Sequence, residues 1–209
     1  MFADRDEAGK LLAEKLSGIK QENCVVLAIP RGGVVVGDQI AKALGCKLDV
    51  VISKKINPPG YPEYAIGAIM PDGTIYWNQD MSGYLENQYV VNEVNEKKAE
   101  AQRRLEEYRG NEKYDLNGKT VVLVDDGIAT GSTVLVILKW LEKQNLKKII
   151  VASPVIPTHT YEQIKRICGT VIAILIPSGF YSVGDFYEKF KQVSDSKVRS
   201  ILSKYQNLS

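Results

Sequence analysis

Apolar runs alternate with amphipathic stretches along most of the chain. An uninterrupted apolar run predicts a strand that is buried on both faces, and such runs lie at 24–29, 48–53, 120–125, 148–153 and 170–176. Apolar positions spaced three and four residues apart predict helices at 4–17, 132–144 and 158–167. A further helix is predicted after the break at 30–33, running through residue 44 with Gly45 as its stop. This alternation predicts an α/β fold with a central, mostly parallel sheet flanked by helices.

The middle of the chain departs from this alternation. Two short strand-like pieces at 65–69 and 74–77 flank the dipeptide Asp72-Gly73, which predicts a β-hairpin. A long helix is predicted at 84–108. Its predicted inward face consists of Tyr84, Val91, Val94, Ala101, Leu105 and Tyr108.

The end of the chain, residues 177–209, predicts a loop and one or two short helices, with Ser194 as an N-cap. The whole chain of 209 residues is expected to form a single domain, because that length suffices for one large core.

Composition narrows the class of protein. The chain is 44% hydrophobic and 25% charged, which is typical of a globular enzyme and unlike a disordered protein. The net charge is only +2 and basic residues are spread along the chain, so no nucleic-acid partner is expected. The N-terminus does not resemble a signal peptide, and no apolar run reaches the roughly 20 residues that span a bilayer. We therefore expect a cytoplasmic protein without a membrane partner.

The three cysteines, Cys24, Cys46 and Cys168, form no CxxC pair. Their odd number and wide spacing favour small, buried, reduced side chains over a disulfide framework or a zinc site.

The segment "VVLVDDGIATGST", residues 121–133, carries the most specific chemistry. Ligands of parallel sheets lie at the carboxyl ends of strands, and this segment joins such an end to the start of a helix. Its glycines, its hydroxyl groups and the free N–H groups of the helix predict an anion site. The segment has neither the lysine of a Walker loop nor the glycine spacing of a dinucleotide fold.

Asp125 and Asp126 require a separate explanation, since carboxylates beside a phosphate repel it. They could accept hydrogen bonds from sugar hydroxyls, hold a hydrated divalent cation, or face a developing positive charge. A sugar phosphate would satisfy several of these roles together. The alternative is that one of them caps the following helix.

Several segments of the chain resemble the motifs of a known protein family. "VVLVDDGIATGST" resembles the signature with which type I phosphoribosyltransferases bind phosphoribosyl diphosphate (PRPP). "AIPRGGVVVG" resembles the pyrophosphate loop of that family, and "ISKKI" resembles the basic pair that ends its second strand. "FADRDEAGKLLAEKL", "KKINPPGYPEYAIGAI" and "FYSVGDFYEKFKQVSD" are similar to a branch of predicted phosphoribosyltransferases from bacteria and archaea. That branch commonly has Arg-Lys where this chain has Lys54-Lys55, so a bidentate contact is replaced by a point charge.

The resemblance implies a set of roles. Asp125 and Asp126 would bind the ribose hydroxyls, and Mg²⁺, held mainly by the substrate, would bridge the ribose and the pyrophosphate. The 5-phosphate would lie on the loop formed by Gly127, Ile128, Ala129, Thr130, Gly131, Ser132 and Thr133. Pyrophosphate would be bound by Arg31, Gly32, Gly33, Lys54 and Lys55. The catalytic residues would be Asp125, Asp126, Lys55 and Arg31.

The resemblance also implies a mobile flap at 54–80 and a C-terminal hood at 177–209 that covers the base. The flap would alternatively be an ordinary exposed hairpin, and its Glu63 either a general base or a solvated side chain. Candidates for the base pocket are Phe180, Tyr181 and Asp185, although aromatic residues of terminal segments more often pack. His159 is interpreted as a helix-entry residue.

The leading hypothesis is a phosphoribosyltransferase of nucleotide salvage that uses PRPP and Mg²⁺ to ribosylate a nucleobase-like acceptor. The alternative is a PRPP-sensing regulator on the same fold, which the modest charge and the short segment before the first strand disfavour. A sugar-phosphate phosphatase is weaker because no suitably spaced nucleophile is evident. The resemblance and the long helix suggest a homodimer.

Overall fold

The computed structural model describes residues 1–19, 23–58, 60–61, 64–78 and 88–205. The backbone clusters into two compact units. The first comprises Met1–Val51, Asp115–Thr130 and Asn145–Ser209, and the second comprises Ile52–Tyr114 and Gly131–Gln144. The organisation of the chain as a single domain stays a prediction.

The regular elements alternate along the chain as the sequence pattern predicts. The strands are β1 (Cys24–Ala28), β2 (Lys47–Val50), β3 (Lys54–Ile56), β4 (Gly67–Ile69), β5 (Ile75–Trp77), β6 (Thr120–Val124), β7 (Lys148–Val155) and β8 (Val171–Leu175). The α-helices are α1 (Arg5–Lys15), α2 (Gly32–Leu44), α3 (Gln88–Arg109), α4 (Ser132–Leu141), α5 (Thr158–Cys168) and α6 (Asp195–Leu202).

The first unit is built on a five-stranded parallel sheet with the order β2-β1-β6-β7-β8. Every residue of the central strands β1 and β6 is buried, which explains why their sequences show no polar alternation. The predicted α/β class with a parallel sheet flanked by helices is confirmed. Strand β2 ends at Val50, three residues before the predicted end, and the amide of Val51 makes one further bond to Ala28 O at 3.1 Å.

Capping residues mark the ends of several helices in the first unit. Asp4 caps α1 by accepting a hydrogen bond from Glu7 N at 3.0 Å, and Ser194 caps α6 by accepting one from Lys197 N. Helix α2 ends at Gly45, whose φ of 71° is left-handed and suits glycine. The prediction of Ser194 as an N-cap and of Gly45 as a helix stop is confirmed.

The second unit contains a three-stranded antiparallel sheet with the order β3-β4-β5. Strands β4 and β5 form the predicted hairpin, and Asp72 Oδ1 accepts a hydrogen bond from Thr74 N in its turn. Strand β3 differs from the prediction, which places the basic pair at the end of the preceding parallel strand. Lys54 and Lys55 instead lie in a strand that pairs with β4.

Helix α3 packs against this sheet through a cluster of Ile56, Ile66, Ile69 and Val90. The prediction of its inward face was partly wrong. Val91 is 44% exposed and its neighbour Val90 is buried, while Ala101, Leu105 and Tyr108 are buried as predicted. Tyr84 lies outside the described residues.

The cysteines carry no disulfide. Cys24 is buried and the other two are half-buried, and burial raises the pKa of the Cys46 and Cys168 thiols. In the described part of the chain, no helix combines the length and apolar character that crossing a membrane requires.

Candidate active site

Two loops of the first unit lie side by side because their strands are in register. Ala28 of β1 pairs with Val124 of β6, so the two strands end at the same level of the sheet. The amide of Ile29 then donates to Val124 O at 2.8 Å. The residues that follow β1 and those that follow β6 consequently meet at the carboxyl edge of the sheet, where parallel sheets bind ligands.

Gly32 and Gly33 are required by this close approach. A Cβ atom at Gly32 would stand 1.8 Å from Asp126 Oδ2, and one at Gly33 would stand 2.8 Å from Val124 O and 3.0 Å from Asp125 Cα. Helix α2 begins at Gly32 without a side-chain cap, and Val34 N donates to Arg31 O at 3.3 Å, so the amides of Gly32 and Gly33 are the N–H groups of its first turn that suit a ligand. The structure thus brings two predicted pyrophosphate-binding glycines against the two predicted ribose-binding aspartates.

The two aspartates have different surroundings. Asp125 is half-buried, and its Oδ1 accepts a hydrogen bond from Asp126 N at 2.8 Å. Asp126 forms an ion pair with Arg5, whose Nε lies 2.5 Å from Asp126 Oδ2. The two side chains of this pair are only 10% and 14% exposed. Neither aspartate caps the next helix, since α4 has Gly131 at its N-cap and no side-chain cap bond.

Arg5 connects Asp126 to the C-terminal segment, which begins at residue 177. Its NH1 donates to Lys191 O at 2.8 Å, and its guanidinium lies 3.9 Å from the ring centroid of Phe190. Tyr187 completes the cluster by donating its hydroxyl to Asp126 O at 2.5 Å. Burial, followed by the charge of Asp126, raises the pKa of the Tyr187 phenol.

The sequence did not reveal the roles of Arg5 and Tyr187. One indication was present, because Arg5 occupies the first turn of α1, where a positive charge opposes the helix dipole. A cation that is buried at such a position requires a counter-charge from elsewhere in the fold. Tyr187 carried no comparable indication, since a tyrosine in a terminal segment usually packs.

The predicted phosphate loop, 127–133, is divided between the units. In the first unit, a Cβ at Gly127 would stand 2.2 Å from Val183 Cγ1, so the C-terminal segment packs directly on this glycine. Ile128 is buried and its amide donates to Val155 O at 3.0 Å, which removes this amide from the predicted phosphate-binding set. The carbonyl of Ala129 accepts a hydrogen bond from Thr160, and Thr130 is exposed.

In the second unit, Gly131 has a φ of 80° and stands at the N-cap of α4. Ser132 is buried and donates to Asn78 Oδ1 at 3.4 Å, and Thr133 is half-buried. The free N–H groups at the start of α4 are the feature of this loop that suits a phosphate.

The predicted cations of the pyrophosphate site differ in their availability. Arg31 is 32% exposed and lies 3.9 Å from Asp195, and the peptide bond that precedes it is cis. In the second unit, Lys54 is paired with Glu100, and this hydrogen bond lowers the pKa of the Glu100 carboxyl. Lys55 is exposed.

The predicted base-pocket residues have different surroundings. Phe180 stacks on Phe186 with ring centroids 5.6 Å apart, and Asp185 accepts a hydrogen bond from Ser182 N in a capping box. Tyr181 is 95% exposed. The assignment of Phe180, Tyr181 and Asp185 to a base pocket stays a prediction.

The two remaining predicted residues are Glu63 and His159. Glu63 lies outside the described residues. His159 is exposed in the first turn of α5, which agrees with its interpretation as a helix-entry residue.

Comparison with known proteins agrees with this geometry. The family model of the phosphoribosyl transferase domain matches residues 4–188. The chain belongs to the phosphoribosyl transferase family. It is 35% identical over 207 residues to two curated proteins from strains of Mycobacterium tuberculosis, one of them named "Putative phosphoribosyl transferase Rv0571c". The match covers 98% of this chain and 47% of each relative, so the chain spans about half the length of the curated relatives.

Solved structures of similar proteins have the same fold as this phosphoribosyl transferase domain. The protein TT1426 from Thermus thermophilus superposes with a TM-score of 0.83 at 37% identity, covering 98% of this chain and 99% of that one. The purine phosphoribosyltransferase from Pyrococcus horikoshii superposes with a TM-score of 0.52 at 19% identity, covering 91% of this chain and 92% of that one. At that identity the second likeness concerns the fold alone.

Members of this family are expected to use Mg²⁺. Among the described residues, no group of three or more histidine, cysteine, aspartate or glutamate side chains could hold a metal ion. Mg²⁺ commonly binds through one or two carboxylates together with substrate phosphates and water. The adjacent carboxylates of Asp125 and Asp126 supply hard oxygen ligands of that kind, so the residues present fit a substrate-bound Mg²⁺.

Proposed function

We propose that the chain transfers a phosphoribosyl group from PRPP to a ring nitrogen of a nucleobase-like acceptor and releases pyrophosphate. The observation that carries this proposal is the position of the Asp125-Asp126 pair. It follows a buried strand, adjoins the free start of α2 at Gly32, and precedes the sequence Thr-Gly-Ser-Thr. A ligand with both a diol and phosphates suits this combination of acids and helix N-termini.

The aspartates would act on the sugar. Their carboxylates would accept hydrogen bonds from the ribose hydroxyls. As the bond from C1 to pyrophosphate breaks, positive charge develops on the ribose ring, and nearby carboxylates stabilise it. The acceptor nitrogen then attacks C1 from the opposite face, with inversion. No covalent enzyme intermediate is needed, so positioning and electrostatics supply the rate enhancement.

The leaving group would be bound on the α2 side. Pyrophosphate departs with several negative charges, and Arg31 and the amides of Gly32 and Gly33 are candidates to receive it. Lys55 is the better candidate of the lysine pair, because Lys54 is already paired with Glu100. The 5-phosphate would bind the loop 127–133, chiefly through the start of α4 and the hydroxyls of Thr130, Ser132 and Thr133.

Mg²⁺ would be held by Asp125, Asp126 and the oxygens of PRPP, and when bound it neutralises charge on the pyrophosphate. A cytoplasmic role in nucleotide salvage and a homodimeric assembly belong to the same proposal, and they rest on the resemblance of the sequence.

A screen of acceptors tests the proposal. The full chain is incubated with PRPP, Mg²⁺ and each of adenine, hypoxanthine, guanine, xanthine, uracil and orotate, and pyrophosphate release is followed. Release that depends on one base is expected. Asp125→Asn should abolish it, whereas Asp115→Asn, an exposed control in the same unit, should not.

The other outcomes also discriminate. Tight PRPP binding without release from any base would favour the PRPP-sensing regulator. Absence of PRPP binding would overturn both functions. Equal loss of activity in the two aspartate variants would contradict the role given to Asp125.

A further inference from the structure

We infer that Arg5 is a positioning residue of the sugar-binding site, which holds Asp126 in the orientation that the ribose requires. This inference rests on the proposed function, since it assigns a new residue to the same site. Arg5 lies in the N-terminal helix, 121 positions before its partner and far from the sugar-binding loop along the chain.

The contact with Asp126 is directional. Arg5 Nε donates to Asp126 Oδ2 at 2.5 Å. Gly32 faces the same oxygen so closely that a Cβ there would stand 1.8 Å from it, and that Cβ would also stand 2.8 Å from Arg5 Nε. The carboxylate is thus fixed between Arg5 and the backbone of α2.

Only one oxygen of Asp126 is used in this way. Across the part of the chain that the structure describes, no hydrogen bond is made to Asp126 Oδ1. A carboxylate that is anchored through one oxygen presents the other in a defined direction. Such anchoring spares a sugar ligand the cost of ordering the side chain on binding.

Arg5 is itself held from several sides. Its NH1 donates to Lys191 O at 2.8 Å, and the ring centroid of Phe190 lies 3.9 Å from its guanidinium carbon. Tyr187, from the same C-terminal segment, binds the backbone of Asp126 through its hydroxyl. The C-terminal segment therefore reaches Asp126 both directly and through Arg5.

The buried charge gives a second reason for the pairing. The two side chains are 10% and 14% exposed, and a carboxylate so poorly solvated is costly without a cation. Arg5 neutralises one of two adjacent carboxylates at a site proposed to receive an anionic sugar phosphate. The acid pair can then contact hydroxyl groups while repelling the phosphates less.

Calorimetric titration of PRPP with Mg²⁺ into purified variants tests this assignment. Arg5→Gln is expected to weaken PRPP binding by at least about tenfold, which lies within the range of couplings inside one charge network. Arg166→Gln removes the same charge from an exposed position on α5 and is expected to bind PRPP as the wild type does. Melting temperatures establish that each variant is folded at the titration temperature.

A double variant separates positioning from general support of the fold. If Arg5 acts through Asp126, Arg5→Gln combined with Asp126→Asn should bind PRPP no more weakly than Asp126→Asn alone. Multiplied losses would show that Arg5 acts on PRPP binding independently of Asp126, and a lower melting temperature with unchanged affinity would show a merely structural ion pair. Either result would overturn the assignment. If Arg5→Gln does not fold, Arg5→Lys replaces it, and a several-fold weaker affinity is expected because a point charge cannot hold Asp126 and Lys191 O together.

The wild type distinguishes the two proposals. Wild-type protein that binds no PRPP would overturn the proposed function and this inference with it. Wild-type binding that Arg5→Gln and Arg5→Lys leave unchanged would overturn the assignment of Arg5 and leave the proposed function standing.

Discussion

Replacing Gly32 by alanine should destabilise the protein, although the same change normally stabilises a helix. Gly32 is the first residue of α2, and alanine exceeds glycine in helix propensity by about 1 kcal/mol. The added methyl would, however, stand 1.8 Å from Asp126 Oδ2, 2.4 Å from Asp126 Cγ and 2.8 Å from Arg5 Nε. The sign of the effect therefore depends on whether these three atoms lie where the structure has them.

The expected magnitude follows from two costs and one gain. Forcing a methyl group into a packed site costs about 1–3 kcal/mol. Disturbing the charged hydrogen bond between Arg5 and Asp126 costs about 1.5–3 kcal/mol more. After the gain in helix propensity of up to about 1 kcal/mol, the net loss is about 2–5 kcal/mol. For a chain of this length each kcal/mol lowers the melting temperature by about 2–4 °C, so a drop of at least about 4 °C is expected.

Thermal unfolding followed by circular dichroism measures this change, with Gly18→Ala as the matched control. A Cβ at Gly18 would meet no atom within 4 Å, so that variant should melt with the wild type. A Gly32→Ala protein that is as stable as the wild type, or more stable, would refute the placement of the Asp126 carboxylate against α2.

Three further predictions concern other groups. Folding raises the pKa of Tyr187 above its ordinary value of 10.0, so stability should fall as pH rises above about 10, and Tyr187→Phe should reduce that fall in unfolding titrations. Lys55→Ala should lower turnover more than affinity for ribose 5-phosphate, which carries no pyrophosphate, and equal losses would contradict a role at the leaving group. The Cys46 and Cys168 thiols, whose pKa values burial raises, should alkylate at about pH 8 far more slowly than in denatured protein, and equal rates would contradict their burial.

The sequence predicted the parallel sheet well because its central strands are buried on both faces. Such strands read as continuous apolar runs, and β1 and β6 lie within the predicted bounds. The sequence did not predict β3 as a strand separate from β2. This strand is three residues long, follows an apolar run directly, and has no turn residue before it, so nothing local separates it from β2.

The sequence predicted only those parts of the candidate site whose residues lie close together along the chain. Asp125 and Asp126 were found because they stand beside a recognisable loop, and the equal level of β1 and β6 brings Gly32 to them. Arg5 and Tyr187 lie 121 and 61 positions from Asp126, and pairs so distant along the chain are set by tertiary packing.

The conflict between two carboxylates and an expected phosphate site is reduced by the fold itself. Had both side chains faced the ligand unpaired, their repulsion would oppose an anionic sugar phosphate. Instead, one oxygen of Asp126 is bound by a buried guanidinium, and the absence of a side chain at Gly32 lets that carboxylate approach the positive end of α2. The same glycine that suits a pyrophosphate loop is thus also required by the ion pair. A substitution at Gly32 should therefore affect stability and ligand binding together, whereas one at the exposed Lys55 should lower turnover without a comparable loss of stability.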